Sequence, residues 1–138
     1  KIDACPHHGP AISRGGDWGY HMAWFDGGDK AGLFYGRIDG DAWVSSPAKR
    51  FGNANFQAGH PSLLSINEKV YLAWKEINDS DNYIVLAISE DGGKNWLEAK
   101  KIKKTEGASD YPELIQFNNK AFLSWNTIKD GYQFIALE

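Results

Sequence analysis

The sequence predicts an all-β protein on three observations. A unit of about fifty residues recurs, its apolar stretches are short and bounded by turn residues, and no stretch keeps helical spacing between caps. The repeat shows in three aligned pairs of segments. The first pair is Gly9-Pro10-Ala11-Ile12-Ser13 and Tyr20-His21-Met22-Ala23-Trp24. The second is His60-Pro61-Ser62-Leu63-Leu64 and Val70-Tyr71-Leu72-Ala73-Trp74. The third is Tyr111-Pro112-Glu113-Leu114-Ile115 and Ala121-Phe122-Leu123-Ser124-Trp125. The prolines lie 51 apart and the tryptophans 50 and 51 apart, so two independent landmarks keep one period.

The middle repeat justifies each element. Pro61–Ile66 is mostly apolar and reads as an innermost strand opening on proline, where no ladder donor is needed. Asn67-Glu68 turns the chain into Val70–Trp74, and the Asn78–Asn82 loop leads to the β-branched and aromatic Tyr83–Ile88. Gly92-Gly93 then turns it into a fourth strand, Trp96–Ile102. Four antiparallel strands per repeat describe a β-propeller blade. The blades fall at about 10–60, 61–111 and an incomplete 112–138, whose third strand is Tyr132–Glu138. The tryptophan closing each second strand is expected to plug the core between neighbouring blades.

Ser89-Glu90-Asp91-Gly92-Gly93-Lys94-Asn95-Trp96 has the form Ser-x-Asp-x-Gly-x-x-Trp, at the turn from third to fourth strand. Asp91 is suited to accept backbone N–H groups across the turn, Gly93 to supply a positive φ, and Trp96 to pack the turn onto its blade. Arg37-Ile38-Asp39-Gly40-Asp41-Ala42-Trp43 is a degenerate copy with one residue fewer between Asp and Trp. The motif resembles the Asp-box of sialidase-like propellers. Cys5-Pro6-His7-His8-Gly9-Pro10 and Ala58-Gly59-His60-Pro61 also resemble the C-terminal half of bacterial sialidase-like proteins. The resemblance implies a six-bladed ring, of which this chain is half, with Ser89, Asp91, Gly93 and Trp96 structural and remote from any active site. Three blades leave two open apolar flanks, costly in water. Two copies closing head to tail into a twofold ring, or a missing N-terminal half, would cover them.

Composition narrows the function. Net charge is −3 and only Arg14, Arg37 and Arg50 are arginines, which argues against a nucleic-acid partner. Lys94, Lys100, Lys101, Lys103 and Lys104 fall on an expected outer edge strand, where lysines discourage pairing with other chains. No apolar run reaches the roughly 20 residues of a membrane-spanning helix. Cys5 is alone, so there is no internal disulfide framework. No signal peptide is visible, and the expected setting is secreted or periplasmic.

In a propeller, functional groups gather where the innermost strands begin. The residues before each landmark proline are His7-His8-Gly9, Ala58-Gly59-His60 and Ser109-Asp110-Tyr111. His7, His8, His60, Asp110 and Tyr111 are therefore the candidate contacts for a carbohydrate or protein ligand on the axial face. Resemblance to sialidases implies an arginine two residues before such a proline, but His8, Gly59 and Asp110 stand there. Tyr111 or Tyr132 with Glu76 offers the residue types of the sialidase nucleophile pair, without a supporting spacing. The reading is a non-catalytic recognition module needing no cofactor. One alternative is part of an exo-glycosidase whose site is shared with missing blades. A further alternative is a metal-binding propeller using Cys5, His7, His8 and His60.

Overall fold

The computed structural model describes residues 9–29, 31–53, 55 and 57–138. Eleven strands and no helix occur among these residues, arranged as three separate antiparallel sheets. The first sheet orders β1 (Ala11–Arg14), β2 (Gly19–Asp26), β3 (Gly32–Asp39) and β4 (Lys49–Phe51) in chain sequence. The second does the same with β5 (Gln57–Ile66), β6 (Lys69–Asn78), β7 (Asp81–Ser89) and β8 (Lys100–Glu106). The third has β9 (Glu113–Phe117), β10 (Lys120–Thr127) and β11 (Gly131–Leu137). Each sheet is a meander: short turns join most neighbouring strands, and longer connections lead from β3 to β4 and from β7 to β8.

Strand alternation decides what each face buries. On β6, Val70, Leu72 and Trp74 point to the first sheet and join Ala23, Leu33, Tyr35 and Phe51. Tyr71 and Ala73 point the other way and join Leu114, Ala121, Leu123 and Trp125 of the third sheet. The middle sheet is thus covered on both faces, and β6 is buried from Val70 to Glu76. Polar side chains tie the first strands together across the gaps. Ser13 Oγ lies 2.8 Å from Ser65 Oγ and accepts the Ser65 N–H at 3.0 Å. Ser62 Oγ likewise accepts the Leu114 N–H at 2.9 Å.

Two of the landmark tryptophans plug these gaps. Trp74 and Trp125 are each 1% exposed, whereas Trp24 is only half-buried, on the outer face of the first sheet against Phe34. Both outer faces carry apolar side chains: Ile12 and Tyr20 on the first sheet, and Ile115, Phe117 and Phe134 on the third. An apolar groove of about 340 Å³, lined by Leu86, Ile88, Leu97 and Ile102, also lies open on the side of the second sheet that faces the third.

Three expectations are corrected. The first strand of the middle repeat starts at Gln57, not Pro61, because a bulge between Gly59 and Ser62 carries the ladder past the proline. The fourth strand starts at Lys100, not Trp96, because Lys94–Trp96 belongs to the preceding turn. That removes Lys94 from the edge but leaves Lys100, Lys101, Lys103 and Lys104 on it, with a bulge opposite Ile84 and Val85. Finally, Trp96, whose Nε1 donates to the Gly93 carbonyl of its own turn at 3.1 Å, also reaches across to the neighbouring sheet. Its ring meets Tyr35 edge-on at 4.8 Å and Phe51 at 5.0 Å.

The turn that carries Trp96 is held from inside. Ser89 Oγ donates to Asp91 Oδ1 at 2.8 Å and accepts the Gly93 N–H at 2.9 Å. Asp91 also accepts the Asn95 backbone N–H at 2.8 Å and its amide at 2.7 Å. These bonds, those from Asn95 foremost, lower the Asp91 carboxyl to about 2. Gly93 has φ 83°, and a Cβ there would collide with the Tyr35 hydroxyl. Gly93→Ala is expected to cost about 2–4 kcal/mol, from left-handed strain plus overpacking. Trp96→Ala should cost about as much by emptying the contact with Tyr35 and Phe51. Urea unfolding of both variants checks this.

Beside this contact, His21 is 1% exposed and its Nδ1 lies 2.7 Å from Tyr35 Oη. Trp18 meets the imidazole edge-on at 4.9 Å, and the Arg37 guanidinium lies 3.9 Å from the Trp18 ring centre. Burial, then the Arg37 charge, lowers His21 from 6.5 to about 4. The folded-state value lies below the unfolded one, so its contribution is complete above pH 6.5 and is lost as pH falls towards 4. Stability should fall across that window by up to about 1.4 kcal/mol per pH unit. His21→Gln should flatten this slope, as read from denaturant midpoints between pH 4 and 8.

Candidate functional site

The bulge in β5 places His60. Its φ of 51° is left-handed, which turns the imidazole out of the ladder alternation. The ring comes to rest on Tyr111, with centroids 3.4 Å apart and planes 16° from parallel. Tyr111 belongs to the segment leading into β9 and is 51% exposed, so the stacked pair is open to solvent.

Hydrogen bonds to β10 anchor that segment. The Asp110 N–H donates to the Asn126 carbonyl at 2.8 Å, and Trp125 Nε1 donates to the Asp110 carbonyl at 2.9 Å. The landmark tryptophan of the third repeat therefore has two roles: its ring fills the core and its N–H fixes the strand entrance. The Asp110 carboxylate is left at the exposed surface, with one weak contact from the Asn126 amide at 3.3 Å.

Lys75 completes the cluster and was not foreseen. It is 7% exposed on the third-sheet side of β6. Its ammonium donates to the Ser109 carbonyl at 2.7 Å and lies 5.2 Å from the Tyr111 ring centre. Burial lowers its pKa, and the Asp110 charge opposes that shift. A lysine inside the apolar run Val70–Ile77 was the available signal, since a buried ammonium requires partners. Ser109 Oγ, buried here as well, has no hydrogen-bond partner among the described residues.

The structure thus brings together His60, Asp110 and Tyr111 and adds Lys75 and Ser109. Cys5, His7 and His8 lie outside the described residues. No group of three His, Cys, Asp or Glu suited to a metal ion occurs among the described residues. Glu76 points to the opposite face of β6, where its Oε1 accepts Trp74 Nε1 and the Asn53 N–H, both at 3.0 Å. Tyr132 stands on the outer face of the third sheet, 3.1 Å from Ser124 Oγ. The arginines are used elsewhere: Arg37 lies against Trp18, Arg50 donates to the Ala31 carbonyl, and Arg14 ends β1.

The cluster offers a flat aromatic surface, an exposed carboxylate and a nearly buried ammonium. An aromatic ring suits the C–H face of a sugar or an apolar side chain, and the carboxylate suits hydroxyl or amide donors. No nucleophile–base pair stands within hydrogen-bonding reach in the cluster as described. Comparison with protein-family models, curated proteins and solved structures returned no match, so the functional reading stands on the site's own chemistry.

Proposed function

We propose that this chain is a non-catalytic recognition module, built as successive blades of a sialidase-like Asp-box propeller, that binds a carbohydrate on its axial face. The observation that carries the reading is the solvent-open stack of His60 on Tyr111, with the Asp110 carboxylate beside it. Support for the blades comes from the three meanders of one period and the Ser89–Trp96 turn held by Asp91. In this reading the strand entrances face a common axis and further blades complete the ring; His7 and His8, the sequence candidates before Pro10, lie outside the described residues. A protein ligand on the same face is the alternative occupant. The exo-glycosidase reading is weakened because Arg14, Arg37 and Arg50 are placed away from His60 and Tyr111.

The test is calorimetric titration with galactose, N-acetylglucosamine and sialyllactose. Tyr111→Ala is expected to weaken binding about tenfold or more, through loss of the stacking surface. His60→Asn is the matching variant, because asparagine tolerates the left-handed backbone that alanine would strain. It should reduce affinity while leaving the unfolding midpoint nearly unchanged. Binding that ignores both substitutions, or a large stability loss with intact binding, would sink the assignment of this site.

A further inference from the structure

Positive charge is concentrated on the last strand of the middle sheet. The whole chain has a net charge of −3, yet β8 carries four lysines against one glutamate. That acid, Glu106, is itself paired with Lys129 at 2.5 Å. The second sheet has a neighbour on each face, so β8 is bordered on both sides by described chain. It still forms the edge of its sheet, because the chain passes from it directly into the third sheet.

The bulge in this strand sorts the lysines into two rows. Lys101 pairs with Val85 and Lys104 with Tyr83, on the side that faces the first sheet. Lys100 pairs with Leu86 and Lys103 with Ile84, on the side that faces the third. Within each row the lysines are three residues apart, about 10 Å along the strand. Lys101 Nζ lies 3.9 Å from the Tyr83 ring centre, and Lys104 Nζ pairs with Asp81 at 2.7 Å. These contacts steady two long side chains that stay exposed, although the first sheet covers the core on their side. Four ammonium groups so close repel one another, and no other acid of β8 offsets the cost. Keeping other strands off the edge needs fewer lysines, since the bulge already interrupts the ladder.

We propose that the β8 edge binds an anionic polysaccharide, laid along the strand with its acid groups between the two lysine rows. Compact ammonium charges on flexible stems suit acid groups that recur along a polymer, and a bound polyanion removes the repulsion among them. The unpaired backbone N–H groups of a sheet edge add donors for sugar and acid oxygens. A nucleic acid fits this edge less well. β8 has no arginine, and Tyr83, the aromatic ring among the lysines, lies beneath Lys101 and offers no platform for a base. The site is separate from the His60–Tyr111 stack and does not rest on the blade reading.

The test is fluorescence anisotropy of the 138-residue chain with labelled dextran sulfate and polygalacturonate, between about 50 and 200 mM salt. Binding to at least one of them is expected, weakening as salt rises, with none to neutral dextran. The double variants Lys101→Gln with Lys104→Gln, and Lys100→Gln with Lys103→Gln, should each weaken it about tenfold or more. Lys120→Gln, an exposed charge on β10, should leave it unchanged, as should Tyr111→Ala. Exposed ion pairs add little stability, so both double variants should keep the parent Tm. If losing the Asp81 contact lowers Tm, the Lys100 and Lys103 variant decides. Absence of binding, or binding indifferent to the β8 lysines, overturns the proposal. So does equal affinity for single-stranded DNA or polyglutamate, which would make the edge a site for any polyanion. Loss of binding in Tyr111→Ala would assign the polysaccharide to the His60–Tyr111 stack and equally overturn it.

Discussion

Covering the second sheet on both faces is the constraint on which the rest of this structure depends. A strand inside a two-sided sheet has no solvent side, so β6 runs apolar where a half-exposed strand would alternate. The two neighbouring sheets need only one such face each, and they show more alternation: β10 buries Ala121, Leu123 and Trp125 and leaves intervening positions more open. Even the polar groups on β6 follow from this. Lys75 and Glu76, adjacent in sequence, point to opposite gaps, and each is satisfied there by hydrogen bonds, as burial of a charge requires.

Much of the strand order was legible because it depends on local chemistry and on a repeated landmark. The tryptophans at 74 and 125 are core plugs as their recurrence implied, and β11 lies within a residue of the expected third strand. Trp24 departs from the pattern for a reason invisible in sequence: among the described residues, its side of the first sheet faces no other sheet. The start of β5 is hidden in sequence because proline suits a strand's first residue, whereas here a bulge lets the ladder pass around it. The reach of Trp96 into the next sheet was equally hidden, since spacing within a turn says nothing about what lies beyond it.

Of the candidate contacts, one pairing was legible in the sequence. His60 and Tyr111 meet, because their segments enter neighbouring first strands joined by the bond from Leu114 to Ser62. Lys75 escaped notice because its importance comes from a neighbouring sheet about 35 residues later in sequence, where the Ser109 carbonyl waits for it. Registering such a contact needs the packing of one sheet on another, which no single strand pattern encodes.

Each sheet here is a continuous stretch of chain, and the substantial packing runs between sheets adjacent in sequence. Such a stack behaves as a line of coupled units whose opening is governed by nearest neighbours. The second sheet is coupled twice and the other two once each, so the ends of the line open before its centre. Amide protons of β6 and β7 should therefore outlast those of β9 and β11 in exchange with solvent. Any partner that covers an end face would slow exchange first in the sheet it touches, and cooperativity would lengthen with the stack.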